Sequence, residues 1–325
     1  MKGLELEGLR RGVLVNPDYQ PTFDELSEDF ADEHVPLLDQ RSVQLRGLTE
    51  DQRHWREYGY VIKRNFVPHP LIDEFLRLRT NLGLGHGSFP EPIAYAQHEV
   101  VTDICCSREL HHLLVDLLGE EMGIHFNLTD FKSTERGWHQ DDYFNPPEVH
   151  GRYCAIWMAM GDIHPDAGPF EFVPASHKWP CMRREKVRAL IKPEANSNEK
   201  MEWPIFAEYF VNKAIDQKIK DTGATVERFL ARKGDILIWH GKLVHRGSIP
   251  NNPDLIRPAL ISHYSNIRSR RDFSNDISRH KGGGYYWNWG RTLTRQHSMP
   301  AITAPYFSSR RLAGAIKRRA LSLVK

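Results

Sequence analysis

The chain has 325 residues, 40% of them hydrophobic, and a mean hydropathy of −0.55, which is typical of a globular protein with a large core in one enlarged domain. Its 44 lysines and arginines nearly balance its 42 aspartates and glutamates. This balance argues against an overall positive field that would attract nucleic acid or an anionic membrane. A small molecule is the expected partner.

The four cysteines have no spacing typical of a zinc site or of a secreted disulfide framework, and they are interpreted as reduced core residues. They are Cys105, Cys106, Cys154 and Cys181. No apolar run approaches the roughly 18 residues that a membrane span requires, and the first residues do not resemble a signal peptide. The cytoplasm is the predicted compartment.

Residues 1–48 are rich in acid and proline without a sustained period, which predicts an N-terminal extension over the rest of the protein. A capping box at 49–52 then begins a predicted helix that ends at Gly59, and a short strand follows directly. The three-and-four spacing of apolar residues predicts further buried helices over 71–78 and 110–118.

From residue 124 the pattern changes to short β-type runs separated by turn residues. The predicted strands are 124–131, 153–160, 170–173, 235–239 and 259–264. Helices gathered before a series of short strands predict a mainly β fold, an antiparallel double-sheet barrel with a helical buttress on one face.

One domain is predicted over 49–325, with an insertion at about 180–230 and a C-terminal extension from about 266. The insertion is polar and largely helical, and a lid and a surface elaboration are both consistent with it. The aromatic segment 282–290 is expected to pack onto the barrel, with stacking on a ligand ring as the alternative. The basic segment 310–325 is interpreted as a docked terminal helix, with a membrane-surface helix as the alternative.

A His-x-Asp pair and a distant histidine form the candidate metal site. His139 and Asp141 follow a predicted strand, and residues two apart in an extended segment project to the same side. His245 follows a turn, a strand and a second turn, so only tertiary folding can bring it to the pair. Two imidazoles and one carboxylate can hold one face of an iron(II) ion and leave other positions open. His240, at a strand end, is the alternative distal ligand.

Arg257 begins a predicted strand after the distal histidine. A buried guanidinium needs an anionic partner, and it binds a carboxylate best through two parallel hydrogen bonds. A keto-diacid that chelates the metal would supply such a carboxylate. Asp142 and Tyr143, beside the His-x-Asp pair, are interpreted as solvated turn residues, with a place in the cavity wall as the alternative.

Between residues 48 and about 265 the sequence resembles the phytanoyl-CoA dioxygenase family of iron(II)- and 2-oxoglutarate-dependent oxygenases. The resemblance rests on Leu-Thr-Glu-Asp-Gln at 48–52, Trp-His-Gln-Asp at 138–141, the segment 168–177, the segment 234–248 and Arg-Pro-Ala at 257–259. It implies a double-stranded β-helix, or jelly roll, of the cupin-like type.

The resemblance also implies the roles of site residues. The implied iron ligands are His139, Asp141 and His245, and the implied 2-oxoglutarate contacts are Arg257, Trp157 and Ser248. The implied activity is hydroxylation of an unactivated carbon of a small molecule by dioxygen, with succinate and CO2 as co-products. Halogenating relatives lack the carboxylate that Asp141 supplies. Charge balance and aromatic content favour a neutral or aromatic substrate over an acyl-CoA.

The chain departs from the family pattern after the distal histidine. The family commonly has His-Gly-Ser there, whereas Arg246 separates His245 from Gly247 in this chain and moves Ser248 one residue later. A one-residue β-bulge is predicted to absorb the shift. The alternative function is a cupin-like metal-dependent or ligand-binding protein without oxygenase activity, which has no need of an arginine at position 257.

Overall fold

A computed structural model describes residues 12–195, 203–273 and 276–288 of the chain. The predicted terminal helix at 310–325 and the end of the 282–290 segment lie outside the described residues. Within these ranges, no helix combines the length and the apolar character needed to cross a lipid bilayer.

The N-terminal segment packs against the body of the protein. It contains α1 (Phe23–Leu26) and β1 (Ser27–Glu28). Phe23 and Leu26 are buried in an apolar cluster that also contains residues of the 180–230 segment, while Leu38 packs among the helices that follow. Residues 12–48 therefore cover the body.

A group of helices precedes the main strands. They are α2 (Glu50–Tyr58), α3 (His69–Asn81), α4 (Ala94–Gln97), α5 (Glu99–Cys105) and α6 (Arg108–Leu118). Thr49 and Gln52 form the predicted capping box of α2, and Gly59 ends that helix with a φ of 78°, a conformation that glycine adopts without strain. The predicted helices are confirmed.

The remaining elements are mostly strands. They are β2 (Tyr60–Lys63), β3 (Met122–Leu128), β4 (Tyr153–Ala159), β5 (Phe170–Phe172), β6 (Cys181–Met182), α7 (Arg184–Arg188), α8 (Trp203–Thr222), β7 (Glu227–Phe229), β8 (Ile236–His240), β9 (His245–Gly247), β10 (Ala259–Asn266), β11 (Ile277–Arg279) and β12 (Tyr285–Trp287). The predicted strands are confirmed with small shifts at their ends, and α7 and α8 give the 180–230 segment its expected helical character.

Two sheets form the centre of the fold. The larger has the order β11-β12-β3-β10-β4-β8-β2, and the smaller has the order β7-β5-β9. An isolated bridge between His139 and His245 adds one more segment beside β9. From β3 to β10 the chain therefore passes from the larger sheet to the smaller and back three times, which is the winding of the predicted jelly roll.

The larger sheet packs on different partners at its two faces. Ile156 and Leu260 point outward into the apolar cluster under the helices, whereas Trp157 and Trp239 point inward to the cluster shared with Phe170 of the smaller sheet. This follows from the alternation of side chains along a strand. The predicted helical buttress on one face is confirmed.

The C-terminal extension joins the larger sheet. Strand β12 pairs in parallel with β3, and Trp287 is buried beneath the helices. The described part of the aromatic segment, residues 282–288, thus packs onto the larger sheet. The cysteines are also as predicted, because all four are buried and unbridged.

Candidate metal centre

Backbone hydrogen bonds bring the two distant parts of the motif together. His139 N donates to the His245 carbonyl at 3.1 Å, and His245 N donates to the His139 carbonyl at 3.0 Å. Asp141 N donates to the Gly241 carbonyl at 2.7 Å. The tight segment between β8 and β9 therefore fixes the position of the His-x-Asp pair, and the prediction that tertiary folding joins them is confirmed.

Each histidine turns the same nitrogen toward the site. His139 Nδ1 lies 2.8 Å from the Gly137 carbonyl, and His245 Nδ1 lies 2.9 Å from the Leu243 carbonyl. A carbonyl oxygen only accepts, so Nδ1 carries the proton and Nε2 keeps its lone pair for a metal. His139 Nε2 lies 3.6 Å from Asp141 Oδ1, and His245 Nε2 lies 3.7 Å from Asp141 Oδ2.

The three side chains could together hold one metal ion. One ligand atom from each of His139, Asp141 and His245 lies within 4.8 Å of the others, and all three residues are buried. Burial, and then the nearby charge of Arg136, hold the pKa of His139 well below its ordinary value, and burial also lowers the pKa of His245. Both rings are therefore neutral at neutral pH, which is the form that binds metals.

Trp239 is a part of the site that the sequence analysis missed. Its indole Nε1 donates to Asp141 Oδ2 at 3.0 Å from the inner face of β8. A hydrogen bond of this kind fixes the orientation of a ligating carboxylate. Alternation along the predicted strand 235–239 was the available signal, since it places the Trp239 side chain on one face with Leu237.

His240, the alternative distal ligand, contacts an aspartate outside the metal site. Its Nε2 lies 3.0 Å from Asp39 Oδ2, in the N-terminal segment. The described cluster of potential ligands contains His245 and not His240, so the geometry favours His245.

The interpretation of Asp142 and Tyr143 as solvated turn residues was wrong. Both are fully buried, because the turn that contains them packs beneath the insertion, where Tyr143 lies 5.9 Å from the Trp203 ring. Asp142 accepts a hydrogen bond from Gly151 N at 3.1 Å, and burial raises its pKa to about 6. Both side chains are therefore part of the protein interior, and their place in the cavity wall stays a prediction.

Arg257 is a buried cation without an anionic partner among the described residues. Its side chain donates from Nη1 to the Gly168 carbonyl at 3.0 Å, while Nε has no hydrogen-bond partner there. Burial lowers its pKa to about 10, and the negative charge of Asp130 opposes this without forming an ion pair. The guanidinium lies 6.0 Å from the Trp157 ring. A dicarboxylate would supply the missing partner.

Trp157 and Ser248 are the other two residues predicted to contact a co-substrate. Trp157 is fully buried between the sheets, with its ring 5.6 Å from Phe229. Ser248 Oγ donates to the Pro169 carbonyl at 2.7 Å, and its oxygen retains the capacity to accept. Their roles at a co-substrate stay predictions.

The predicted β-bulge after the distal histidine is absent. In the described structure β9 pairs with β5 in continuous register, with His245 opposite Phe172 and Gly247 opposite Phe170. The additional Arg246 takes its place in the alternation and turns away from the site. Its Nε donates to the buried carboxylate of Glu171 at 2.7 Å. Ser248 therefore follows on regular backbone.

Sequence comparison assigns the family. Residues 90–259 match the family described as Phytanoyl-CoA dioxygenase (PhyH), which is more than half of the chain. The chain belongs to the phytanoyl-CoA dioxygenase family. Membership confirms the resemblance and makes this PhyH protein an iron(II)- and 2-oxoglutarate-dependent oxygenase. A comparison with curated protein sequences found no match.

Solved structures resemble the PhyH protein at low sequence identity. EctD from S. alaskensis with bound Fe has a TM-score of 0.52 and 15% identity, over 77% of this chain and 84% of that chain. The non-heme alpha ketoglutarate dependent epimerase SnoN from nogalamycin biosynthesis has a TM-score of 0.48 and 16% identity, over 66% and 80%. The likeness to EctD shows a shared fold.

Proposed function

We propose that this PhyH protein hydroxylates an unactivated carbon of a small molecule, with dioxygen and 2-oxoglutarate consumed and with succinate and CO2 as co-products. The observation that carries the proposal is the presence, in one jelly roll, of a His-Asp-His cluster and of a buried arginine, Arg257, that has no anionic partner among the described residues. A cupin-like binding protein would need the first feature but not the second.

The donor set fits iron(II). Two neutral imidazole nitrogens and one carboxylate match the facial arrangement that leaves positions open for other ligands, and EctD, which has the same fold, was solved with bound Fe. We infer that His139, Asp141 and His245 would hold the ion. Bound iron would supply the activation of dioxygen that no side chain can provide.

The other residues would bind and orient the co-substrate. Arg257 would pair with the distal carboxylate of 2-oxoglutarate, because its guanidinium is buried, charged and without a carboxylate partner in the part of the chain that the structure describes. Trp157 would pack beside the co-substrate, and Ser248 would accept or donate a hydrogen bond near it. Trp239 would hold Asp141 in place. The inner aromatic residues would exclude water from the site.

The proposal can be tested by adding iron(II) and 2-oxoglutarate to the purified protein without oxygen. A weak visible charge-transfer band is expected only when both are bound together. Admission of oxygen with a library of metabolites should then identify the substrate through faster succinate release, and mass analysis of the product should show one added oxygen atom. A folded protein that gives no band would instead favour the ligand-binding alternative.

A further inference from the structure

Strand β10 passes the metal centre, so that its inward-facing residues near the two ends lie on opposite sides of that centre. Arg257 lies just before the strand, and Ile261 pairs with Trp157, whose ring lies near the Arg257 guanidinium. His263 lies in the same cross-strand row as Trp239, the residue that contacts the metal-site carboxylate. Residues beyond His263 are therefore on the opposite side of the metal centre from the proposed co-substrate.

Buried polar side chains line that opposite side. The Tyr153 hydroxyl is hydrogen bonded to His263 Nδ1, and His125 Nε2 lies 3.0 Å from Ser265 Oγ. Among the described residues, His263 Nε2 and His125 Nδ1 have no hydrogen-bond partner. Burial lowers the pKa of both histidines, to about 4 for His263. These are neutral, desolvated nitrogens whose missing hydrogen bonds a ligand could supply.

Arg270 completes the cluster with a fully buried guanidinium. Its Nη1 donates to Asn145 Oδ1 at 2.6 Å, and Asn145 Nδ2 lies 3.4 Å from the Asp141 carbonyl. Nε and Nη2, which form one edge of the guanidinium, have no hydrogen-bond partner in the described structure. Asp272 Oδ2 forms an ion pair with Nη2 at 3.1 Å, although the two groups are not aligned as a hydrogen bond and the Asp272 side chain is 36% exposed.

The Nε and Nη2 edge of Arg270, whose hydrogen bonds are unused among the described residues, has the geometry that a carboxylate requires. Two parallel N–H groups match two carboxylate oxygens, and this match is strong where water is excluded. Phe273 covers one face of the guanidinium at 3.6 Å from its ring centre. A ligand would therefore approach the edge and not that face. Arg184, of the insertion, adds positive charge nearby and also has an unpartnered Nε among the described residues.

We propose that the primary substrate is a small molecule that carries a carboxylate, and that Arg270 binds this group while His263 binds a polar group nearer the metal centre. The identification of the ligand as the substrate rests on the proposed oxygenase function. The near balance of charge over the whole chain favours a neutral substrate. The charges within the site act on a bound ligand more directly, and they favour a carboxylate.

The test measures whether the protein prefers acids to their amides. Matched pairs of probes, namely butanoate, benzoate, phenylacetate and N-acetylglycine with the corresponding primary amides, are titrated into metal-free protein and into protein with iron(II) and 2-oxoglutarate, with binding followed by calorimetry. At least one acid should bind about tenfold or more tightly than its amide. The Arg270→Lys variant, which keeps the charge, should lose most of that preference.

Three further variants test whether the preference for acids belongs to Arg270 and to no other cation. Arg257→Lys should keep the preference for acids in metal-free protein, because its arginine belongs to the co-substrate region. Asp272→Asn should bind the acid at least as tightly as the unmodified protein, since it removes a competing carboxylate. Arg64→Lys, on the exterior where Arg64 pairs with Asp235, should change nothing. Circular dichroism of each variant checks its folding.

The outcomes separate this proposal from the proposed function. Equal binding of acids and amides, no binding of any acid, or a preference lost in Arg257→Lys but kept in Arg270→Lys would each overturn the carboxylate site. Failure of the oxygenase function would instead appear as absence of the charge-transfer band. The calorimetry on metal-free protein does not depend on that band.

Discussion

Successive residues of the larger sheet point to opposite faces, and the two faces hold different kinds of side chain. The outer face contributes Ile156 and Leu260 to an apolar cluster beneath the helices. The inner face contributes Trp239 and His263 beside the metal centre. One set of strands thus carries a stabilising surface and a chemical surface at alternate positions. Substitutions on the two faces should therefore have separable effects.

The largest expected effect is loss of a metal ligand. His245→Ala removes one of three donors, and 2-oxoglutarate turnover should fall about a thousandfold together with loss of tight iron(II) binding. Turnover is measured as succinate release, and iron binding by anaerobic titration. His240→Asn is the matched control, because His240 is a buried histidine five residues away that pairs with Asp39. If His240→Asn lost iron and His245→Ala kept it, the ligand assignment would be reversed.

The outer face should respond in stability alone. Leu260 is fully buried in the helix-packed cluster, so Leu260→Ala should lower the free energy of unfolding by about 2–5 kcal/mol. Iron and 2-oxoglutarate affinities should stay the same at temperatures where the variant is folded. Denaturant titration and anaerobic binding measure these two quantities.

The neighbouring residue provides a comparison for Leu260. Ile261 points to the inner face and is only partly buried, so Ile261→Ala should cost less stability. It pairs with Trp157, and its substitution should weaken 2-oxoglutarate binding more than Leu260→Ala does. Equal changes in 2-oxoglutarate affinity for the two variants would contradict the assignment of stability to the outer face and of ligand binding to the inner face.

Arg257 should affect the co-substrate and not the metal. Arg257→Gln removes the charge that would pair with the distal carboxylate, and 2-oxoglutarate affinity should fall about tenfold to a hundredfold. Iron(II) affinity should not change. Arg246→Gln is the control, since Arg246 pairs with Glu171 on the other side of β9. A similar loss of 2-oxoglutarate affinity in both variants would argue against a specific role for Arg257.

The sequence predicted the parts of the fold that local patterns determine. The capping box at Thr49, the glycine at position 59 and the apolar spacing of the helices are signals within a few residues of one another, and the structure confirms them. The grouping of His139, Asp141 and His245 was also predictable, because strand alternation and the turns around β8 limit where their side chains can point.

The rest of the site depends on contacts between distant segments. Asp142 and Tyr143 were expected to be solvated because polar residues after a strand usually form exposed turns. Tyr143 is buried against Trp203 of the insertion, and Asp142 is buried against Gly151 and Gly241. The expected bulge was wrong for a related reason, since the partner Glu171 gives Arg246 a place in a regular strand. Such partners cannot be read from local spacing.

The smallest expected effect concerns the indole that contacts Asp141. Trp239→Phe keeps the aromatic packing against Phe170, whose ring lies 4.8 Å away, but removes the N–H that donates to the carboxylate. The carboxylate would then be less well oriented, and iron(II) affinity should fall about tenfold. Anaerobic iron titration measures this change.

Trp55→Phe is the matched control for this prediction, because Trp55 lies on the helix side of the larger sheet, away from the metal ligands. Trp55 is fully buried among the outer-face helices, and its Nε1 has no hydrogen-bond partner in the described residues. Removing that N–H should leave iron(II) affinity unchanged, since no ligand depends on it. Should Trp55→Phe weaken iron binding as much as Trp239→Phe, the loss in each would reflect general softening of the fold, and the hydrogen bond to Asp141 would have no specific role in orienting the metal ligand.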